Sequence, residues 1–135
     1  MNNCVFCNLP TDRIINEYKH FHVIRDLYPV THLHSLVIPK RHIVSYFECN
    51  QDEYNEIPIV LSTQKTELTL TDESITGFNI GMNIGEDAGQ TVFHFHIHII
   101  PRRKGDIENP RGGVRGVIPN KQGYYLDDKL YFRWT

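Results

Sequence analysis

The 135-residue chain lacks long apolar runs. Stretches such as Ile59, Val60 and Leu61 fall far short of the roughly 20 residues that a membrane-spanning helix needs. The opening MNNCVFCNLPTDR likewise has no apolar segment of signal-peptide length. The expectation is a cytoplasmic protein with no membrane partner. An excess of positive charge is also missing: 14 Lys and Arg against 16 Asp and Glu give a formal net charge of −2, which offers nucleic acid or an anionic surface no general attraction. Cysteine is scarce, and its number, three, is odd. Cys4 and Cys7 form a close pair that suits a metal or redox role better than a structural disulfide framework, which leaves Cys49 as a free thiol. Internal repeats are absent. One domain over residues 1–135 is the simplest organisation, large enough to bury roughly two thirds of the surface of the unfolded chain.

What is present is patterned. Residues 52–73 are acidic, with Asp52, Glu53, Glu56, Glu67, Asp72 and Glu73, whereas residues 102–115 carry Arg102, Arg103, Lys104, Arg111 and Arg115 against Asp106 and Glu108. RIINEYKHFHVIRD predicts two short strands joined near Lys19, with Tyr18, Phe21 and Val23 inward. HSLVIPK predicts a third, stopped by Pro39. From Gln51 to about Leu70, Tyr54, Ile57, Leu61 and Leu68 recur near the helical period, behind Asn50 as N-cap and with acidic residues in the first turn. Pro58 predicts a bend in that helix or a later start. ITGFNIGMNIG predicts a strand entering the turn GEDAGQ and pairing antiparallel with the strand that follows. The Gly- and Pro-rich tail from Gly105 predicts surface loops, with YYLDDKLYFRWT adding a last strand or docking through its aromatics. This order predicts an α+β domain, a mainly antiparallel sheet of about five strands with one principal helix packed on it.

AGQTVFHFHIHIIPR, residues 88–102, sets His94, His96 and His98 at every second position. Side chains alternate between faces along a strand, so the imidazoles point one way and Phe93, Phe95, Ile97 and Ile99 the other. One face builds a core and the other a site. A single histidine in a strand is usually a half-buried polar residue; three in register, behind a turn carrying Gly85, Gly89, Gln90 and Thr91, call for chemistry. Two kinds fit. Two imidazoles of an H-x-H pair could bind a catalytic metal with a third ligand from elsewhere. Alternatively, one imidazole could attack phosphorus while its neighbours donate hydrogen bonds to oxygens that gather charge. The turn's N–H groups, the Gln90 amide, the Thr91 hydroxyl and the arginines that follow all seek phosphate and favour the second.

HFHIHII, within NIGEDAGQTVFHFHIHIIPR, resembles the signature of the histidine triad (HIT) nucleotide hydrolases and transferases, above all their small bacterial members. CVFC, VIRDLYPVTHLHSLVIPKRH and the helix after it follow in the family's order, so the resemblance spans roughly residues 4–104. It implies cleavage at a nucleoside α-phosphate, in a phosphoramidate, a dinucleoside polyphosphate or a related purine nucleotide, through a covalent nucleotidyl-histidine. His96 would be the nucleophile, its other nitrogen donating to the His94 carbonyl. His98 would contact the phosphate and assist the leaving group, and His34 would complete the pocket as a fourth histidine. Gln90 and Thr91 would bind phosphate and bridging oxygens, Asp26 the ribose hydroxyls, and Asn83 the leaving-group side. Phe6, with Val5 and Leu36, would line the base pocket or belong to the core.

Cys4, Cys7, His42 and His94 would, by the same resemblance, close a structural zinc site, with a redox CxxC as the rival reading. No organic cofactor is implied, and a homodimer with two joined sheets is. Two other functions stay open: a nucleotide-binding sensor with little turnover, and a metal-dependent hydrolase using the histidine row as ligands. The chain also departs from the family. Where glycine commonly precedes the fourth histidine, THLHS has Leu33, which cannot enter positive φ as cheaply. A reshaped loop is therefore expected, with His32 reaching the pocket or facing solvent. The arginines of NPRGGVRGVIPNK are either ligands for distal phosphates or part of a solvated basic loop.

Overall fold

Short apolar-rich segments in the first half of the chain build three consecutive antiparallel strands, β1 (Ile14–Glu17), β2 (Phe21–Arg25) and β3 (Ser35–Pro39). Helix α1 (Gln51–Thr71) follows, then β4 (Ile75–Gly81) and β5 (Ile97–Arg103). The computed structural model describes residues 3–123 and the backbone of Tyr125–Leu126 and Lys129–Leu130. Two compact units divide after Arg102. In the first, the sheet order is β1-β2-β3-β5-β4, which gives the expected five-stranded antiparallel sheet with one main helix. β5 pairs with β3 through Ser35–Ile99, Leu36–His98 and Val37–Ile97.

The sheet buries both faces, which is why all five residues of β3 are inaccessible. Phe21, Val23, Val37, Ile97 and Ile99 pack with Ile57, Val60 and Leu68 of the helix, joined by Ile43, Ile75 and Phe95. Ile24, Leu36 and Ile38 form a second cluster, covered by Phe6, Leu9 and Ile14. His98 stands opposite Leu36, so the histidine row lies beside that second cluster.

The inward stripe of α1 is Glu53, Ile57, Val60, Gln64 and Leu68, a spacing of four, three, four and four that keeps one helical face toward the sheet. Tyr54 and Leu61 flank it, half-buried. Its two polar members are bonded: Gln64 Nε2 donates to Asn16 Oδ1 (2.8 Å) and Tyr18 Oη (3.1 Å), and Glu53 closes a reciprocal capping box with Asn50. The helix starts where Asn50 caps it and runs through Pro58, so the later start does not occur. Pro58 faces solvent, and the roughly 3 kcal/mol lost at an interior proline is offset by the capping box and the buried stripe.

The histidine strand begins later than its alternation predicts. β5 starts at Ile97, and residues 91–96 are irregular. Pro39 has no N–H to extend the ladder beyond Val37; the preceding segment is instead fastened by Phe95 N, which donates to Ile43 O at 2.7 Å. Phe95, Ile97 and Ile99 keep the expected inward alternation, but Phe93 does not and is 48% exposed. Before it, a 3₁₀ turn (Glu86–Ala88) sits between Gly85 (φ 93°) and Gly89 (φ 92°), two left-handed positions that favour glycine.

The second unit holds the tail. Gln122 Nε2 donates to Asn109 O and Arg111 O, and Gly112, at φ 87°, admits the Gln122 carbonyl where a Cβ would lie 1.7 Å from its oxygen. β6 (Tyr125–Leu126) and β7 (Lys129–Leu130) pair with each other, antiparallel. Residues 131–134, whose aromatics were expected to dock, lie outside the described residues.

Candidate active site

The backbone just before β5 folds the His96 ring against its own chain: Nδ1 lies 2.8 Å from His94 O. A carbonyl can only accept, so Nδ1 carries a proton, and in the neutral ring the unshared pair lies on Nε2. The Phe6 ring meets this imidazole edge-on at 5.1 Å, and the His98 ring lies 5.2 Å away. His96 is half-buried, in contact with an apolar ring and a second imidazole.

His98 joins His34 and Asp26. His34 Nε2 is 2.9 Å from His98 Nδ1 and 3.5 Å from Asp26 Oδ2, while Val30 N donates to His34 Nδ1 at 3.0 Å. Burial, helped by the neighbouring His96 and His34, pushes the His98 imidazole down to about 4. Burial also lowers His34, against the opposing pull of the Asp26 carboxylate. Both rings are therefore neutral at neutral pH. The other Asp26 oxygen accepts from Tyr28 N at 2.8 Å, closing an Asx turn at the entry to the loop before His34.

That loop has the backbone conformation of the missing glycine without the glycine. His34 N donates to Thr31 O at 3.1 Å, and Leu33 sits at φ 72° as the third residue of the turn. Leu33 remains because its side chain is packed against the main core. His32 is exposed.

Among the loop residues expected at phosphate, Thr91 is exposed and Asn83 half-buried. Gln90 is placed as a brace. Its carboxamide is buried and engaged internally: Oε1 accepts from Gly85 N (2.9 Å), and Nε2 donates to Val44 O (2.8 Å) and Val92 O (3.2 Å). It braces the glycine turn, and its donors are not offered to a ligand. Of the residues named for the base pocket, Leu36 is core, Phe6 packs between that core and His96, and Val5 is exposed.

A second cluster forms where the N-terminal arm meets the end of β3. The donor atoms of Cys4, Cys7, His42 and His94 lie within 4.8 Å of one another. Cys4 Sγ is 3.3 Å and Cys7 Sγ 3.5 Å from His94 Nδ1, and Cys7 Sγ is 3.1 Å from His42 Nδ1. Tetrahedral zinc, with bonds of about 2.3 Å to sulfur and 2.0–2.1 Å to nitrogen, sets adjacent ligands roughly 3.5 Å apart.

Residues 9–105 match the family described as HIT domain. The chain belongs to the HIT family. The HIT protein Hit of Bacillus subtilis is 38% identical over 113 residues, covering 77% of this chain and 74% of the relative. A zinc-bound histidine triad protein of Mycobacterium smegmatis superposes with a TM-score of 0.69 at 35% identity, over 77% of this chain and 78% of the other. The Plasmodium falciparum diadenosine triphosphate hydrolase, solved with cyclomarin A, gives 0.69 at 26% identity, over 75% and 68%.

In this HIT protein a second group, Asp26, His34 and His98, also has the composition of a metal site. Tautomers separate the two. His94 Nε2 lies 2.8 Å from Pro39 O and so carries the proton, leaving Nδ1 to face the thiols with a lone pair, the arrangement metal-bound histidines adopt. His34 is the reverse: an amide donates to its Nδ1, so Nε2 holds the proton and has no pair for a metal. The Cys/His cluster fits zinc, and the Asp/His group is a hydrogen-bonded chain.

Sequence reasoning missed three contributors. Arg41, next to His42, binds the buried Glu53 carboxylate through Nε (3.1 Å) and Nη2 (2.8 Å) and reaches Glu48 O, which ties the His42 loop to the helix cap. The Pro39 carbonyl and the Val30 amide are backbone groups, and no residue type announces them. The R-H pair followed by N-x-x-E could have pointed to Glu53.

Proposed function

We propose that this protein is a purine-nucleotide hydrolase or transferase that cleaves at a nucleoside α-phosphate through a nucleotidyl-His96 intermediate. The observation that carries this reading is the His96–His94 hydrogen bond, which directs the Nδ1 proton at the carbonyl and makes Nε2 the lone-pair nitrogen of the neutral, half-buried ring. Membership of a family that includes a diadenosine triphosphate hydrolase supports the nucleotide substrate.

In the first step the Nε2 pair forms a bond to phosphorus, the bond from phosphorus to the leaving group breaks, and the leaving group departs with the electron pair. The Nδ1 proton stays on the ring, whose positive charge is met by the His94 carbonyl. Water then attacks phosphorus, the N–P bond breaks back to a neutral His96, the nucleoside monophosphate leaves, and the water proton passes to solvent. His98 and Thr91 donate to the oxygens that gather charge, Asn83 serves the leaving-group side, Asp26 accepts from the ribose, and Phe6 walls the base. Gln90 supports the phosphate loop from behind.

Cys4, Cys7, His42 and His94 would hold zinc with no open position, so the ion supplies structure, fastening the N-terminal arm and Phe6 to the sheet. A homodimer is part of this reading. β4 is a sheet edge with Ile80 exposed, and α1 presents Ile59 to solvent, apolar surface of the kind a second copy covers.

The test is a panel of adenosine and guanosine phosphoramidates and dinucleoside polyphosphates, with His96→Ala as the blank. Cleavage at the α-phosphate that is lost in the variant supports the enzyme. Tight nucleotide binding with equal, negligible turnover in both proteins supports a sensor and removes this proposal.

A further inference from the structure

We infer that the backbone amide of Val30 is a positioning element of the site: it fixes His34 as the Nε2–H tautomer and, through His34, fixes His98 as a hydrogen-bond donor at Nε2. An amide N–H can only donate, and this one lies 3.0 Å from His34 Nδ1, so a proton on that nitrogen would face another proton. The neutral ring then carries its hydrogen on Nε2. Both groups near Nε2 accept, His98 Nδ1 at 2.9 Å and Asp26 Oδ2 at 3.5 Å. With its Nδ1 accepting, neutral His98 must hold its own proton on Nε2, the nitrogen His34 does not touch.

The surrounding backbone is built to hold that amide. Pro29 fixes φ immediately before Val30. Asp26 Oδ1 clamps Tyr28 N (2.8 Å), and Thr31 Oγ1 reaches across to Pro101 O in β5 (2.7 Å). Ser35 Oγ holds Leu33 O at 2.8 Å, with Leu33 in the left-handed region, a conformation a leucine keeps only where its surroundings over-determine it. The side chain of Val30 faces solvent, so this position contributes its main chain. In the proposed reaction His98 thereby stabilises developing charge by a hydrogen bond, and a leaving group that needs a proton takes it from another source. That consequence rests on the nucleotidyl-transfer reading; the tautomers do not.

The experiment is a long-range ¹H–¹⁵N correlation spectrum of the full-length protein, as purified and labelled at histidine, recorded at pH 7. His34 and His98 should each show a protonated Nε2 and an unprotonated Nδ1. Val30→Pro deletes the donor and should bring a second tautomer at His34, while Val30→Ala, which keeps the amide, should match the native spectrum. A native spectrum with Nδ1–H at either ring overturns the inference, whether or not the proline variant folds. So does a folded Val30→Pro with unchanged tautomers. The expected native spectrum from a protein that forms no adduct at His96 supports the tautomer assignment while removing the nucleotidyl-transfer reading.

Discussion

The ring of His94 donates from Nε2 to the carbonyl of Pro39 at 2.8 Å, and this one bond turns its opposite nitrogen toward Cys4 and Cys7. The residue that opens the histidine row thus belongs to the cysteine cluster, while its own carbonyl orients His96. The Cys/His cluster and His96 are joined through a single residue and use different atoms of it.

The first prediction concerns that junction. Purified protein should contain about one zinc per chain, and Cys7→Ser should lose it along with thermal stability, because binding to a folded four-ligand site adds directly to folding free energy. His96→Ala should keep its zinc. After chelation Cys4 and Cys7 should react quickly with a thiol reagent and Cys49 slowly, since burial, reinforced by Glu53, pushes the Cys49 thiol up to about 11. Three equally fast thiols would contradict this.

Acid sensitivity follows from the buried imidazoles. His98 falls from the usual 6.5 to about 4, and His34 is lowered too. Between those values the unfolded chain binds more protons than the folded one, so stability is complete above about pH 6.5 and declines as pH falls toward 4. The His98 share is on the order of 3 kcal/mol. Urea titrations at several pH values should show His98→Asn with a flatter profile than the native protein; parallel profiles would rule the assignment out.

Leu33 offers a test of backbone strain. Leu33→Gly relieves a left-handed leucine, by about 1–2 kcal/mol, while removing a partly buried side chain of comparable worth. Near-neutral stability is expected, within about 1 kcal/mol. Leu33→Val should lose about 1–2 kcal/mol, because β-branching makes positive φ harder still. If the glycine variant were destabilised as much as a core truncation, about 3 kcal/mol, the strain assignment would fail.

Arg41 and Glu53 link the helix start to the His42 loop. Glu53→Ala removes the carboxylate that accepts from Arg41 and from Asn50 N, and should cost about 2–4 kcal/mol. It should also speed zinc release, because His42 loses the brace on its neighbour. Unchanged zinc retention would show that loop and cap are independent.

Much of the fold was legible because it depends on periodicity. The alternation in HFHV, the apolar run of SLVIP and the apolar spacing of the helix placed β2, β3 and α1 within a few residues. The start of β5 was not legible. Whether residues 93–96 join the ladder depends on Pro39 lacking an N–H and on Ile43 receiving Phe95, contacts between segments more than 50 positions apart. At the site, residue types marked the histidine row and the thiol pair, and the HIT resemblance added Asp26, His34 and His42; the structure gathers all of these but His96 into two groups. At Gln90 a carboxamide suits a phosphate and a loop brace equally well, and its partners in the fold, Gly85, Val44 and Val92, are not readable from residue type. Tautomers were the least visible, since they are set by the Pro39 carbonyl, the His94 carbonyl and the Val30 amide.

The most direct measurement is the intact mass of the protein mixed with a slowly cleaved purine nucleotide and quenched in alkali, where phosphoramidate bonds to histidine survive. A gain of one nucleoside monophosphate, mapped to His96 and lost in His96→Ala, is the predicted result. An unmodified protein during steady turnover, or an adduct on another residue, would contradict it.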